Sequence, residues 1–176
     1  VLDAANGSDL AYDRTKTVVD LFSASAEKHP DNVAVVHLDK AFTYRQVDEM
    51  SDRIAAYLLA KGVKREDFVA ILIPRCEYMT IASLGVSKAG AAYQPLDPTY
   101  PPERLGFMVG DTQANLLIAD ESLLKLLPDY RGEVLLTKDI PSLPEPADRS
   151  ALAAARHGAK VALLQDRPVL GGNISS

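Results

Sequence analysis

The sequence predicts an α/β fold, a mostly parallel sheet flanked by helices, and three observations carry that prediction. Phe68-Val-Ala-Ile-Leu-Ile73 is apolar without alternation and is closed by Pro74, which marks a strand covered on both faces. From Thr43 to Leu136 segments with helical spacing alternate with short β-branched or aliphatic runs, the order that builds parallel sheets through helical crossovers. At 176 residues, with 47% hydrophobic and 24% charged side chains, the chain can bury a sizeable core.

Residues 1–16, with the turn formers Asn6-Gly7-Ser8-Asp9, read as a leading linker. From Thr17 the apolar positions Val18, Leu21 and Phe22 recur at helical spacing until His29-Pro30, where proline disfavours a helical residue before it. Val33 to Leu38, the turn Asp39-Lys40 and Ala41-Phe42 predict a hairpin. Thr43 and Gln46 then stand at capping-box spacing, and Phe42 and Val47 at the spacing of a hydrophobic staple. In the helix that follows, Val47, Met50, Ile54, Tyr57 and Leu58 form the apolar stripe. Asp48, Glu49, Asp52 and Arg53 form the expected wet face, and Gly62 supplies the stop.

After the covered strand, Cys76 to Ala89 is helical in spacing and apolar almost all round. Its small residues Ala82, Ser83, Gly85 and Ala89 allow close backbone approach, and Gly90 ends it. Ala91 to Pro95 returns as a strand, and prolines start a helix that turns Leu105, Met108 and Val109 inward. Leu116 to Ala119, a short helix from Glu121 to Leu127, and Glu133 to Leu136 continue the alternation. The organised part therefore spans 17–139. Residues 140–149 form a proline-rich junction, with three prolines between Ile140 and Pro146. Residues 150–176 form a β-α-β-like tail, with an alanine-rich helix, a strand from Gly158 to Leu164 and a glycine turn at Gly171-Gly172.

A net charge of -5 without a basic block gives no electrostatic reason to expect nucleic acid or an anionic membrane as partner. Cys76 is the one cysteine, no secretory leader is visible, and no apolar run is long enough to span a bilayer. A cytoplasmic setting is the expectation.

The candidate chemical motifs are sparse. Gly85-Val-Ser-Lys-Ala-Gly90 has the glycine spacing of a phosphate loop, but Ala91 and Ala92 stand where Lys and Ser or Thr are required. The competing reading is helix packing with a carboxyl-terminal glycine stop. No Gly-x-Gly-x-x-Gly occurs, and His29, His37 and His157 are scattered and lack cysteine pairs, so no metal ligands are expected. Ser83 and Cys76 have no visible base partner and read as packing residues. Asp97, between Leu96 and Pro98, can serve as an acid or base, or as a turn former, the commoner role of Asp-Pro. No catalytic residue is expected.

Two ordered segments carry a family resemblance. Phe42-Thr-Tyr-Arg-Gln-Val47 and the run SKAGAAYQPLDPTYPPERL from Ser87 to Leu105, with DFVAILIPR from Asp67 to Arg75 between them, resemble the first core motifs of amino-acid adenylation domains. Val18-Val-Asp-Leu-Phe22 and His29-Pro-Asp31 precede them as that family would have it. The resemblance covers about residues 1–140 and implies the N-terminal part of the adenylate-forming subdomain of a nonribosomal peptide synthetase. It implies an activity for the complete family. ATP and Mg join an amino acid as aminoacyl-AMP, which is passed to a carrier-protein phosphopantetheine, with a condensation domain adjacent. The family's phosphate loop, amino-acid pocket and mobile lysine have no counterpart in these residues, so the chain alone is expected to be inactive and to need no cofactor.

The tail resembles something else. Ala153 to Ser176 is similar to the first helix and second strand of an FAD-dependent oxidoreductase. That resemblance places Asp166, Gly171, Gly172 and Asn173 near a flavin nucleotide, although the preceding glycine fingerprint is replaced by the proline-rich junction. Three readings follow: an adenylation-domain piece, an oxidoreductase remnant, or a non-catalytic packing or interaction fragment.

Overall fold

The computed structural model describes Asp13 and residues 15–146. The leading linker up to Tyr12 and the tail from Ala147 lie outside the described residues. Helix α1 (Val18–Lys28) is capped by Thr17, whose hydroxyl and backbone N–H exchange bonds with Asp20. Its inward positions are Val19, Phe22 and Ala26, whereas Val18 and Leu21 are exposed. The apolar spacing of Val18 and Leu21 therefore does not mark the core face.

Strands β1 (Val33–His37) and β2 (Lys40–Thr43) form an antiparallel hairpin with His37 opposite Lys40. Leu38 takes a positive φ of 53° at its tip. Helix α2 (Tyr44–Ala60) starts on the predicted box: Gln46 N–H donates to the Thr43 hydroxyl, and Thr43 N–H donates to the Gln46 side chain. Gly62 takes φ 82° beyond its end, the left-handed stop that favours glycine. Val47, Ile54 and Leu58 are buried as the stripe predicts. The predicted wet face needs correction at Asp52, which is 3% exposed, and at Asp48, whose side chain is 21% exposed. Both point at a cation on the next helix.

Strands β3 (Phe68–Leu72), β4 (Ala92–Pro95), β5 (Leu116–Ala119) and β6 (Glu133–Leu136) form one parallel sheet in the order β4-β3-β5-β6. Its residues divide by parity. Val69, Ile71, Leu116 and Ile118 face the cluster built by α2 and helix α3 (Glu77–Lys88). Ala70, Leu72, Leu117 and Ala119 face helix α4 (Pro102–Thr112), through Leu105 and Val109. Covering on both faces is why the strands read as apolar without alternation. The expected helix from Glu121 is a 3-10 helix over Glu121–Leu126, with Leu127 buried behind it. A second 3-10 helix, Thr137–Ser142, follows β6 and buries Ile140 completely. Arg53 of α2 donates to the Pro141 carbonyl at 2.8 Å and pairs with Glu145 at 3.0 Å, so the start of the proline-rich stretch docks on α2.

The helices α2 and α3 meet closely. A Cβ on Gly85 would lie 2.7 Å from both Cβ and Cγ2 of Ile54, atoms near a helix backbone that have no room to swing away. Gly85→Ala should lower the unfolding free energy by roughly 1–3 kcal/mol through overpacking. Gly106 of α4 has open space around its missing side chain, and Gly106→Ala should raise stability by about 0.5–1 kcal/mol. Urea unfolding of both variants checks the pair, and two substitutions of equal sign would contradict the packing described.

Candidate functional site at the carboxyl edge of the sheet

In an open parallel sheet, ligands bind outside the carboxyl ends of the strands, where the connections diverge. Here the chain leaves β3 toward β4 and leaves β5 toward β6 on the other side. The divergence therefore falls between the ends of β3 and β5. Asp120 N–H donates to the Leu72 carbonyl at 3.1 Å and Leu96 N–H to the Ile71 carbonyl at 2.8 Å, which ties the segments after β5 and β4 to β3.

Two cavities open on this edge. One, of about 380 Å³, lies over the ends of β3, β5 and β6 and is lined by His37, Lys40, Cys76, Glu77, Asp120 and Thr137 among others. The second, of about 530 Å³, lies over the ends of β3 and β4 and is largely apolar, with Met79, Leu96 and Met108 beside Arg75. In the first, Glu77 sits on the first turn of α3. Its Oε2 is 3.1 Å from His37 Nδ1, and its Oε1 accepts from Lys40 Nζ at 3.0 Å. The hairpin tip is thereby tied to the helix, and Lys40 pairs with the Glu77 carboxylate. Burial opposes ionisation of Glu77, but the bond from its own backbone N–H and the Lys40 ammonium outweigh it and hold the carboxyl below its usual range.

Asp97 acts as the turn former: its Oδ1 accepts from Thr99 N–H at 2.9 Å and from the Thr99 hydroxyl at 2.8 Å. Cys76 precedes α3 without a capping bond from its side chain, and burial pushes its thiol up, the reverse of what a nucleophile needs. The glycine segment 85–90 does not fit a phosphate. Gly85 is closed by Ile54, Gly90 takes φ 78° as the stop, and Lys88 Nζ is buried 2.6 Å from both Asp48 Oδ1 and Asp52 Oδ1. Sequence reasoning missed that cluster. A lysine near the end of a helix read as apolar almost all round was its signal, because a buried charge requires buried partners, and Asp48 and Asp52 offer them one helical turn apart. Among the described residues no group of His, Cys, Asp and Glu can hold a metal ion, and no helix is long and apolar enough to cross a membrane. Asp166, Gly171, Gly172 and Asn173 lie outside the described residues.

A sequence profile described as AMP-binding enzyme matches residues 22–169. The chain belongs to this AMP-binding enzyme family. It is 44% identical over 110 residues, 62% of its length, to Bacitracin synthase 3 of Bacillus licheniformis. It is 36% identical over 139 residues, 79% of its length, to Gramicidin S synthase 2 of Brevibacillus brevis. The first match spans 2% of the relative and the second 3%. Among solved structures, the N-terminal subdomain of Klebsiella oxytoca NpsA bound to 3-hydroxyanthranilyl-AMSN superposes with a TM-score of 0.69 at 27% identity. That superposition covers 80% of this chain and 36% of the NpsA chain. The nonribosomal peptide synthetase FmoA3 gives 0.70 at 26% identity, covering 81% of this chain and 16% of the other. The adenylation-domain resemblance of the two motifs and the α/β fold class thus hold for this AMP-binding member.

The depressed Glu77 carboxyl sets an acid limb. A group held below its ordinary 4.5 in the fold contributes stability above that pH and loses it as pH falls through the folded value. Glu77→Gln should flatten the decline of stability below pH 4.5, read by urea unfolding at stepped pH. An unchanged acid limb would show that the Glu77 link to the hairpin carries no stability.

Proposed function

We propose that this chain supplies opening scaffold for an amino-acid-activating unit of a nonribosomal peptide synthetase, and that the bond-making groups belong to other parts of such a unit. In that unit ATP and Mg join an amino acid as aminoacyl-AMP, for delivery to a carrier protein beside a condensation domain. The observation that carries the reading is the state of the motif lysine: Lys88 is fully buried and bound to Asp48 and Asp52. The segment most like a phosphate loop is thus a helix-packing element. What this chain provides is shape, a parallel sheet clamped between helices with its carboxyl edge held open by the loops after β3 and β4. Binding energy and orientation in an activating enzyme depend on such a rigid platform.

Incubation of the chain with ATP, mixed amino acids and labelled pyrophosphate tests the division of labour. The expected outcome is exchange at background level, restored when the chain is joined to the remaining part of an adenylation domain. Robust exchange by the chain alone would overturn it. For the tail, the flavin-type assignment of Asp166, Gly171, Gly172 and Asn173 is a proposal from sequence resemblance, and the AMP-binding profile overlaps it up to residue 169. Protein purified from a flavin-rich host should show flavin absorbance if that assignment holds, and colourless protein rejects it.

A further inference from the structure

The charges between α1, α2 and α3 form the most deeply buried ionic group among the described residues. Lys88 is 0% exposed, the side chain of Asp52 is 5% exposed, and that of Asp48 is 21%. An ammonium has three N–H donors, and Lys88 has three acceptors: Asp48 Oδ1 at 2.6 Å, Asp52 Oδ1 at 2.6 Å and the Asp48 carbonyl at 3.1 Å. The ring of Phe22, from α1, lies 5.9 Å from the same nitrogen. All three helices of this layer meet at one atom.

Burying ions is costly, and well-packed apolar residues of similar volume commonly serve stability as well or better. Direction is what the ions add. Helix α3 buries Ile81, Ala82, Leu84, Gly85 and Val86, while Thr80 is exposed and Ser83 and Ser87 are half-buried on its other side. That pattern and the Gly85–Ile54 approach choose the face that α3 presents, but apolar contact is non-directional and leaves the angle within that face loosely set. The docking seen brings Lys88 to Asp48 and Asp52 together, and one that separated them inside the interface would leave charges buried without partners, which is strongly unfavourable.

We propose that Lys88 is a registry lock, a device that selects a single docking of α3 on α2 and α1 more than it adds stability. The lock acts at a distance on the candidate site. Helix α3 begins directly after the Pro74–Cys76 loop at the end of β3 and leads through Gly90 into β4. Fixing its rotation therefore fixes Glu77 at one end and the start of β4 at the other. Lys88 is in this sense a positioning residue. The inference stands on packing alone and does not depend on the proposed function.

The test uses the full chain and two variants. Lys88→Met alone leaves two carboxylates in the interface and should lower the thermal midpoint by roughly 10 °C. The triple variant Lys88→Met/Asp48→Ala/Asp52→Leu removes all three charges and should recover most of that loss. Its amide correlation spectrum should nevertheless show more than one set of resonances for residues of α3 and β4. Three results would each overturn the lock: a midpoint for Lys88→Met unchanged from the parent; a triple variant with one set of resonances matching the parent; or a triple variant that does not fold, which would make the cluster a source of stability.

Discussion

Helix α3 has to lie against α2 at backbone distance, and most of the structure depends on that contact. Ile54 occupies the space that a side chain on Gly85 would need, so the two helix axes approach as closely as side-chain sterics permit. Within one further turn, Lys88 reaches back across the same interface to Asp48 and Asp52. The first contact sets the distance between the helices and the face that α3 presents, and the second fixes its rotation within that face. Dispersion and area burial supply the attraction but are indifferent to angle; a charged donor with three fixed acceptors is not. The sheet follows from this layer, because α3 both leaves β3 and delivers β4.

The same contact explains why the carboxyl edge has its shape. Glu77 opens α3, and its carboxylate holds the hairpin tip through His37 and Lys40. The hairpin is a separate two-stranded sheet, and such ribbons are marginal unless they pack on something larger. Both of its strands contact α2, β1 also contacts α3, and Glu77 adds a charge-assisted anchor at the free end.

Much of this was legible in the residue order. The Thr43/Gln46 box, the Gly62 and Gly90 stops, the strand from Phe68 and the Asp97 turn all depend on neighbours within four or five positions, and the structure has each of them. Local geometry is short-ranged, so local sequence suffices to specify it. The α1 stripe was misleading for the opposite reason: Val18 and Leu21 have helical spacing, but which side of a helix faces the core depends on where its neighbours lie.

The ionic cluster shows the same boundary most clearly. Read along α2, Asp48 and Asp52 belong with Glu49 and Arg53 on a polar face, and nothing within the helix distinguishes them. Their partner is 40 and 36 residues away, on a helix whose inward positions are otherwise mostly apolar. Element types, caps and family motifs are written in the residue order alone, because they rest on spacing and near-neighbour chemistry. Which carboxylates leave water, and which glycine stands against a neighbouring helix, was settled only when the chain folded, because burial depends on residues brought together from distant parts of it.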